Sequence, residues 1–393
     1  MTAWYTQQEA CAALGVRQQT LYAYASRGQI EVCPDPANPR RSLYRAEDIT
    51  ALVRKRERGR TRDSIAASTM SWGEPIIPTR ISTISHNRLF YRGTDAVALA
   101  ATATLEEAAQ LLWAAEKQPH FPACACDMTP SLPRARAYGA LGLAAAEGSP
   151  AHALSAAMMQ QEAAALVGRL ASAFVGIAGD EAPLHRRVAR AWGCEARAEL
   201  LRRALVLLAD QELTSSAFAA RVTASTGASL GACALAGLAT LSGPLHGDAT
   251  VRVQALLDDA QRSGAEEAVR RWLSGGLPLP GFGHPLYPDG DPRAADLLGA
   301  FVPSHSTRSV VECVSRLTGL RPTIDVALAA LVEQCRLPPG SAFALFAIGR
   351  SVGWMAHAME QVAHGSLLRP RARYIGPEII AADPPAGTVR EPG

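Results

Sequence analysis

Phe346-Ala347-Ile348-Gly349-Arg350-Ser351-Val352-Gly353-Trp354-Met355-Ala356-His357 lies inside a longer run, 341–363, that leaves no polar face. Phe343, Leu345, Phe346, Ile348, Val352, Trp354, Met355 and Val362 fall on nearly every side of a helix, and a helix apolar all round is a buried one. Arg350 stands midway along it. A guanidinium in that place needs an anion, either an internal Asp or Glu or a bound carboxylate. The rest of the chain is alanine-rich with sparse β-branched runs, so the fold class expected around this helix is all-α.

Working outward, Asp325 follows Arg321-Pro322-Thr323-Ile324 and is flanked by Ile324, Val326, Ala327 and Leu328. Desolvation among such neighbours raises the basicity of a carboxylate, which suits a proton-abstracting base. Pro322 and Thr323 also suggest a helix start, so a capping aspartate is the other reading. His284 ends Pro280-Gly281-Phe282-Gly283-His284, where the glycines let backbone approach a ligand closely. In Asp291-Pro292-Arg293-Ala294 the proline marks a helix start and makes Arg293 an early helical residue. His246 lies in Gly243-Pro244-Leu245-His246-Gly247-Asp248, ahead of a helix marked by Ala249, Val253, Leu256, Leu257 and Ala260. The positive end of that helix disfavours imidazolium, so a neutral histidine is expected. Arg369 opens an extended tail, Arg369-Pro370-Arg371-Ala372-Arg373-Tyr374.

In this order the runs resemble those of citrate synthases, over roughly residues 72–378. Tyr91-Arg92-Gly93-Thr94-Asp95 and the segment 105–113 are similar to the family's entry segment. The resemblance implies a large helical domain from 72–245 and 346–393, with an inserted small domain, 246–345, that closes over the ligands. It implies a Claisen-type condensation: a base takes a proton from the methyl of acetyl-CoA, the enol attacks the ketone of oxaloacetate, and the thioester is hydrolysed. Asp325 would be the base, His246 the donor to the thioester oxygen and His284 the donor to the ketone. Arg293, Arg350 and Arg369 would hold the substrate's carboxylates, and the loop Pro280, Gly281, Phe282, Gly283 would lie against CoA. Arg369 would act in the site of a second copy, which implies a homodimer. Acyl-CoA is a substrate in this chemistry, and no metal or redox cofactor is implied.

Two stretches depart from the family's pattern. The usual His-Ala-Asp-His-Glu run, whose second histidine binds oxaloacetate, is here Leu208-Ala209-Asp210-Gln211-Glu212. Gln211 can still donate an amide hydrogen bond to the substrate, but it carries no charge. Pro288 replaces a basic residue that usually follows the catalytic-loop histidine. These changes bear on the keto acid and on CoA affinity. A relative using propionyl-CoA to make 2-methylcitrate is therefore a second expectation, and a transcriptional regulator sensing the same metabolites is a third.

The first sixty residues carry a different signal. Residues 5–14 read as a short helix, Gly15 as a turn, and Val16–Tyr24 as a second helix presenting Arg17, Gln18, Gln19 and Tyr22 toward a DNA groove. A Pro-rich loop with Arg40 and Arg41 follows, then Tyr44–Ile49. The order is similar to the winged helix-turn-helix of the MerR and excisionase type. Residues 1–62 hold eleven Lys and Arg against six Asp and Glu, whereas the remainder is slightly acidic. The basic excess thus belongs to the segment that a DNA partner would need it on, although a small appendage packed on another protein is the plainer reading. Arg54–Arg62 closes the segment as a solvated helix end or a phosphate contact.

Composition excludes little else. Apolar residues make up 48% and charged residues 19% of 393 residues, which fits a globular chain of two or three domains. The eight cysteines lack metal-ligand spacing, and free thiols are expected. No signal-peptide pattern or membrane-spanning run is read, so a cytoplasmic protein without a membrane partner is expected.

Overall fold

The computed structural model describes residues 4–16, 18–26, 28–35, 38–58, 77–125, 129, 131–176, 181–276, 278–372 and 374–377. The chain divides into two compact units, one formed by Met1–Pro78 with Pro370–Gly393 and the other by Thr79–Arg369.

In the first unit, strand β1 (Trp4–Thr6) leads into α1 (Gln7–Leu14), followed by α2 (Gln18–Ser26), β2 (Val32–Asp35), β3 (Asn38–Arg45) and α3 (Ala46–Arg58). Thr6 and Glu9 cap α1 reciprocally, side chain to backbone in each direction. Gly15 stops α1 in the left-handed conformation (φ 59°), and this makes the turn. Ala10, Leu14, Leu21, Ile30, Tyr44 and Ile49 form the core. The sheet order is β1-β3-β2, antiparallel throughout. Arg40 and Arg41 belong to strand β3 and not to a loop, at the irregularity where its pairing with β2 shifts between Pro34 and Asp35, while Pro34 is tolerated on edge strand β2.

The second unit begins with a small sheet, β4 (Ser82–Ser85), β5 (Arg88–Tyr91) and β6 (Thr94–Asp95), which the expectation of a wholly helical body passed over. Then come α4 (Ala96–Thr102), α5 (Leu105–Trp113), α6 (Pro133–Glu147), α7 (Ala156–Val175), α8 (Leu184–Ala191), α9 (Ala198–Leu208), α10 (Ser215–Ser225), α11 (Leu230–Leu241) and α12 (Ala249–Ser263). The chain continues through α13 (Ala265–Ser274), α14 (Pro292–Gly299), α15 (His305–Thr318), α16 (Ile324–Cys335) and α17 (Ser341–His364). A start near Trp72–Pro75 lies outside the described residues. The fold is all-α with minor sheets. None of the described helices is long and apolar enough to cross a membrane.

This unit has two cores. The larger draws on α4 to α11 and α17, together with Ala294 and Leu297 of α14. The smaller is built from α12, α13 and α15, with Leu279 and Phe282 from the loop that follows α13. Helix α16 serves both. Val326 and Ala329 pack in the smaller core, whereas Ile324, Ala327, Leu328 and Leu331 pack in the larger. Asp325 is thus carried on a helix clamped from two sides.

The small sheet positions two loops. His86 and Asn87 adopt positive φ (50° and 58°) and close the β4–β5 hairpin as a tight two-residue turn. Asn87 donates to the carbonyl of Gly290 (2.8 Å) and accepts from the Asp289 amide (3.3 Å). On β4, Ile84 and Thr83 donate to Glu212, and Ser82 accepts from the Glu212 amide at 2.8 Å. One hairpin therefore steadies both the 284–291 loop and the segment carrying Gln211.

Candidate active site

Arg350 is wholly buried on α17. Its Nε donates to the carbonyl of Leu208 (2.9 Å) and one Nη to Thr214 Oγ1 (3.4 Å), while the guanidinium stacks on Phe346 at 5.1 Å. The other Nη is buried without a hydrogen-bond partner. Among the described residues no carboxylate lies within ion-pair distance of it. Asp210 is the opposing charge that acts most on Arg350; one of its oxygens accepts from Ser82 and lies 3.4 Å from His357 Nε2, and the other is buried without a hydrogen-bond partner. The internal anion that the sequence left open is therefore Asp210, which acts on Arg350 through space without a direct ion pair. What remains is an open cation with a free N–H.

His246 lies in the turns between α11 and α12, its ring against Phe346 (6.2 Å) and its Nε2 2.8 Å from Ser216 Oγ. Burial, helped by the Arg350 charge, pushes its pKa down to about 4, so the ring is neutral at pH 7. The sequence pointed to the end of a helix as the cause, but desolvation is the larger one. The Ser216 hydroxyl can donate to or accept from Nε2; in the tautomer in which it donates, the neutral ring carries its proton on Nδ1.

His284 is neutral for a similar reason. Burial and the neighbouring Arg293 charge push its pKa down to about 4 against the opposing effect of Asp291. Its Nδ1 accepts from the Leu286 amide (3.2 Å), which assigns the proton to Nε2. Gln211 stands beside it, with its amide nitrogen 3.3 Å from that Nε2. The carbonyl end of Gln211 is fixed in turn, because it accepts from Arg293 at 2.8 Å. Two N–H donors thus face one another without an acceptor between them. Such a pair suits an oxygen that accepts from both.

Arg293 is wholly buried in the first turn of α14, beneath Tyr287, and grips Asp291 with Nε (3.0 Å) and Nη2 (2.8 Å). Its side-chain bonds run to Asp291 and Gln211. The loop 280–283 runs antiparallel to 321–323. Gly283 donates to the Arg321 carbonyl (2.9 Å) and Thr323 to that of Gly281 (2.8 Å). Gly281 has φ +77°, and a Cβ there would meet Val253 of α12 and Val326 of α16 at 2.6 and 2.7 Å. Glycine is what lets the loop wedge between the helix after His246 and the helix of Asp325.

Asp325 occupies the first turn of α16, but Thr323 holds the capping position. One carboxylate oxygen accepts from Thr323 Oγ1 (2.9 Å), and the other is buried without a partner. Burial raises its pKa, with Thr323 and Arg293 opposing. A half-partnered carboxylate with raised basicity is chemically a base.

The hydrogen-bond and packing network joins Gln211, His246, His284, Arg293, Asp325 and Arg350. Arg369 is exposed and forms no hydrogen bond or ion pair among the described residues. In the first unit Gln18, Gln19 and Tyr22 are exposed on α2, with Gln18 bonded to Tyr22 at 2.5 Å. Arg41 is exposed on β3; Arg17 lies outside the described residues, as does the side chain of Arg40.

Against known families, the model for the citrate synthase C-terminal domain matches residues 140–371, more than half of the chain. The chain belongs to the citrate synthase family. A helix-turn-helix domain model matches residues 4–57. A citrate synthase of Haloferax volcanii is 36% identical over 195 residues, covering 46% of this chain and 51% of that protein. A 2-methylcitrate synthase of Shewanella oneidensis is 30% identical over 183 residues, 44% of this chain and 49% of that one. The chain thus spans about half the length of the curated relatives it matches. Among solved structures, citrate synthase from Thermotoga maritima superimposes with a TM-score of 0.62 at 26% identity, covering 79% of this chain and 96% of that one.

Sequence reasoning missed several residues that shape this citrate-synthase-type site. Ser216, Thr323, Tyr287 and Asp291 all touch a candidate residue. Asp291 and Thr323 had a readable signal, Asp291 before a helix-starting proline and Thr323 at a helix start.

Proposed function

We propose that this protein condenses an acyl-CoA thioester with oxaloacetate, acetyl-CoA giving citrate and free CoA. The observation that carries the reading is the buried Arg350 with its open N–H, together with the half-partnered Asp325. A fixed cation with an unpartnered N–H and no direct ion pair among the described residues suits an anionic ligand. A desolvated, half-partnered carboxylate at the start of α16 suits the removal of a proton.

The roles follow from the hydrogen-bond assignments. Asp325 takes a proton from the carbon next to the thioester carbonyl, and the Nδ1–H of His246 supports the developing enolate oxygen. The enol carbon attacks the ketone of oxaloacetate, whose oxygen accepts from His284 Nε2–H and the Gln211 amide as it gains charge. Arg350 pairs with a substrate carboxylate. Arg293 acts on the same ligand mainly by orienting Gln211, and Arg369 contributes from a second copy. Water then cleaves the citryl thioester, releasing citrate, CoA and a proton. The loop 280–283 lies against CoA.

The relative from Shewanella oneidensis supports a second acyl donor, propionyl-CoA, with 2-methylcitrate as product. The exposed Gln18, Gln19 and Tyr22 of the helix-turn-helix support a DNA-binding capacity, and with it a regulator that senses the same metabolites. One experiment separates the readings: CoA release followed with a thiol reagent, given oxaloacetate and either acetyl-CoA or propionyl-CoA. Release that requires oxaloacetate is expected, and the better donor identifies the enzyme. A folded protein that binds oxaloacetate but releases no CoA from either donor would overturn the enzyme in favour of the sensor.

A further inference from the structure

The carboxylate of Asp291 reaches both halves of the site. It is buried, and its two oxygens accept four hydrogen bonds. One oxygen takes the Arg293 amide and Nε, both at 3.0 Å. The other takes Arg293 Nη2 at 2.8 Å and the Ile324 amide at 3.0 Å. The Ile324 amide is the first N–H of α16, and Asp325 is the next residue. On the opposite side, the two-point grip on Arg293 fixes the plane of the guanidinium. That plane sets the direction in which Arg293 meets Gln211 Oε1 (2.8 Å), and so turns the Gln211 amide toward His284.

We propose that Asp291 is a positioning residue that sets the register between the donor pair, His284 and Gln211, and the base, Asp325. This rests on the condensing-enzyme reading above. An aspartate that only capped α14 would need one oxygen and the Arg293 amide. Here the second oxygen goes to a helix start 33 residues away, and the guanidinium extends the first oxygen's reach to α14's far neighbour, Gln211. A proton donor and a proton acceptor acting on two different substrates must be held in register, and a misplacement of about 1 Å can cost roughly 100-fold in rate. Burial works against the charge of Asp291, yet Arg293 and the two amides keep its pKa below the usual range, so the grip is ionic.

The test is Asp291→Asn in the full chain. Asparagine keeps the size but turns one acceptor into an N–H group facing another donor. The expected result is a fall in kcat of roughly 100-fold with little change in the KM for acyl-CoA. The acid limb of kcat/KM is expected to move to lower pH, because the Asp291 charge no longer opposes ionisation of Asp325 and the Arg293 charge is left to favour it. In a double-mutant cycle with Gln211→Ala, losses in kcat and in oxaloacetate affinity, measured by calorimetry, are expected to be non-additive. Asp296→Asn serves as the structural control, since it breaks a 2.7 Å pair with Arg203 on the same helix away from the network. It is expected to add simply and to leave the pH limb in place. If Asp291→Asn does not fold, Asp291→Glu, which keeps the charge but shifts the oxygens, enters the same cycle. Additive losses with an unmoved pH limb overturn the proposal. A wild-type protein without oxaloacetate-dependent CoA release overturns the condensing-enzyme reading instead, and the cycle on oxaloacetate affinity still tests Asp291.

Discussion

Asp291 and Asp325 are neighbours in one network, yet burial leaves them with opposite character. Asp291 faces a guanidinium and two amides, so its pKa is held down and it stays ionised. Asp325 has one hydroxyl on one oxygen and nothing on the other, so desolvation wins and its pKa rises. Environments that push two carboxylates apart in this way separate a structural anion from a working base. The sign gives a first prediction. Since Asp325 must be ionised to act, kcat/KM is expected to rise with pH through a limb above the ordinary aspartate value. His246 and His284, already neutral above about pH 4, contribute no limb near neutrality. A limb near pH 6.5 that disappears in His246→Gln would defeat this assignment. A second prediction concerns Asp325→Asn, which is expected to lower kcat by roughly 10²- to 10⁴-fold in the thiol-release assay. The same substitution is expected to raise Tm at pH 7. A group whose folded pKa is raised favours folding below its unfolded value and loses that contribution as pH rises through the folded one, so removing the charge relieves the protein at neutral pH. Loss of activity with a lowered Tm would instead mark Asp325 as structural.

At the scale of elements, the site is set by how closely α9 meets α17. A Cβ at Gly349 would lie 2.9 Å from the Leu205 carbonyl, and one at Gly353 would collide with Asp210 and the Ala209 carbonyl. The Gly353 amide donates to that same carbonyl at 2.9 Å. These two glycines, one turn apart, bring the end of α9 against α17 and so deliver Leu208 to Arg350 and Gln211 to His284. The third prediction compares two substitutions on α17. Gly353→Ala is expected to cost about 1–3 kcal/mol of stability by overpacking, read in denaturant unfolding, and to reduce activity through displaced Asp210 and Gln211. Arg350→Leu fills a similar volume with an apolar side chain but removes the cation that favours ionised Asp210 and the donor to the Leu208 carbonyl, so its Tm is expected to fall as well. Its oxaloacetate affinity is expected to fall roughly 30-fold or more, from the 2 kcal/mol or so at stake in a buried charge pair. Unchanged oxaloacetate affinity in a folded Arg350→Leu protein would contradict this assignment. The sequence made half of this legible. The all-round apolar pattern of 341–363 identified a buried helix, and Arg350 stood out in it. The glycine spacing carried no meaning until a partner helix was known. The β4–β6 sheet was likewise hidden, because strands of two to four residues leave too little alternation to read. Candidate residues with distinctive local contexts, such as His284 after its glycines, were readable. Asp291 was readable only as a helix cap, since its second contact is an amide 33 residues downstream.

At the scale of the molecule, Arg369 poses the remaining question, because it is exposed and unpaired among the described residues of its own chain. A cation needed for a dicarboxylate but held away from the site has a use if a second copy supplies it, as proposed above. This reading makes a fourth prediction that no single-chain account reproduces. Asp325→Asn and Arg369→Ala are each expected to be nearly inactive as purified homodimers, one lacking its base and the other lacking the partner's cation. When the two are unfolded, mixed in equal amounts and refolded, about half of the dimers are mixed. In a mixed dimer, the subunit with Arg369→Ala keeps Asp325 and receives an intact Arg369 from its partner, so one of the two sites is whole. The other site carries both defects. Mixing is therefore expected to restore roughly a quarter of wild-type turnover from two inactive parents. If Arg369 served its own subunit, every site in the mixture would keep one defect and the mixture would stay inactive. The same assay on Asp325→Asn mixed with Arg350→Leu should restore nothing, since both residues belong to one chain's site and no exchange of subunits can bring an intact pair together.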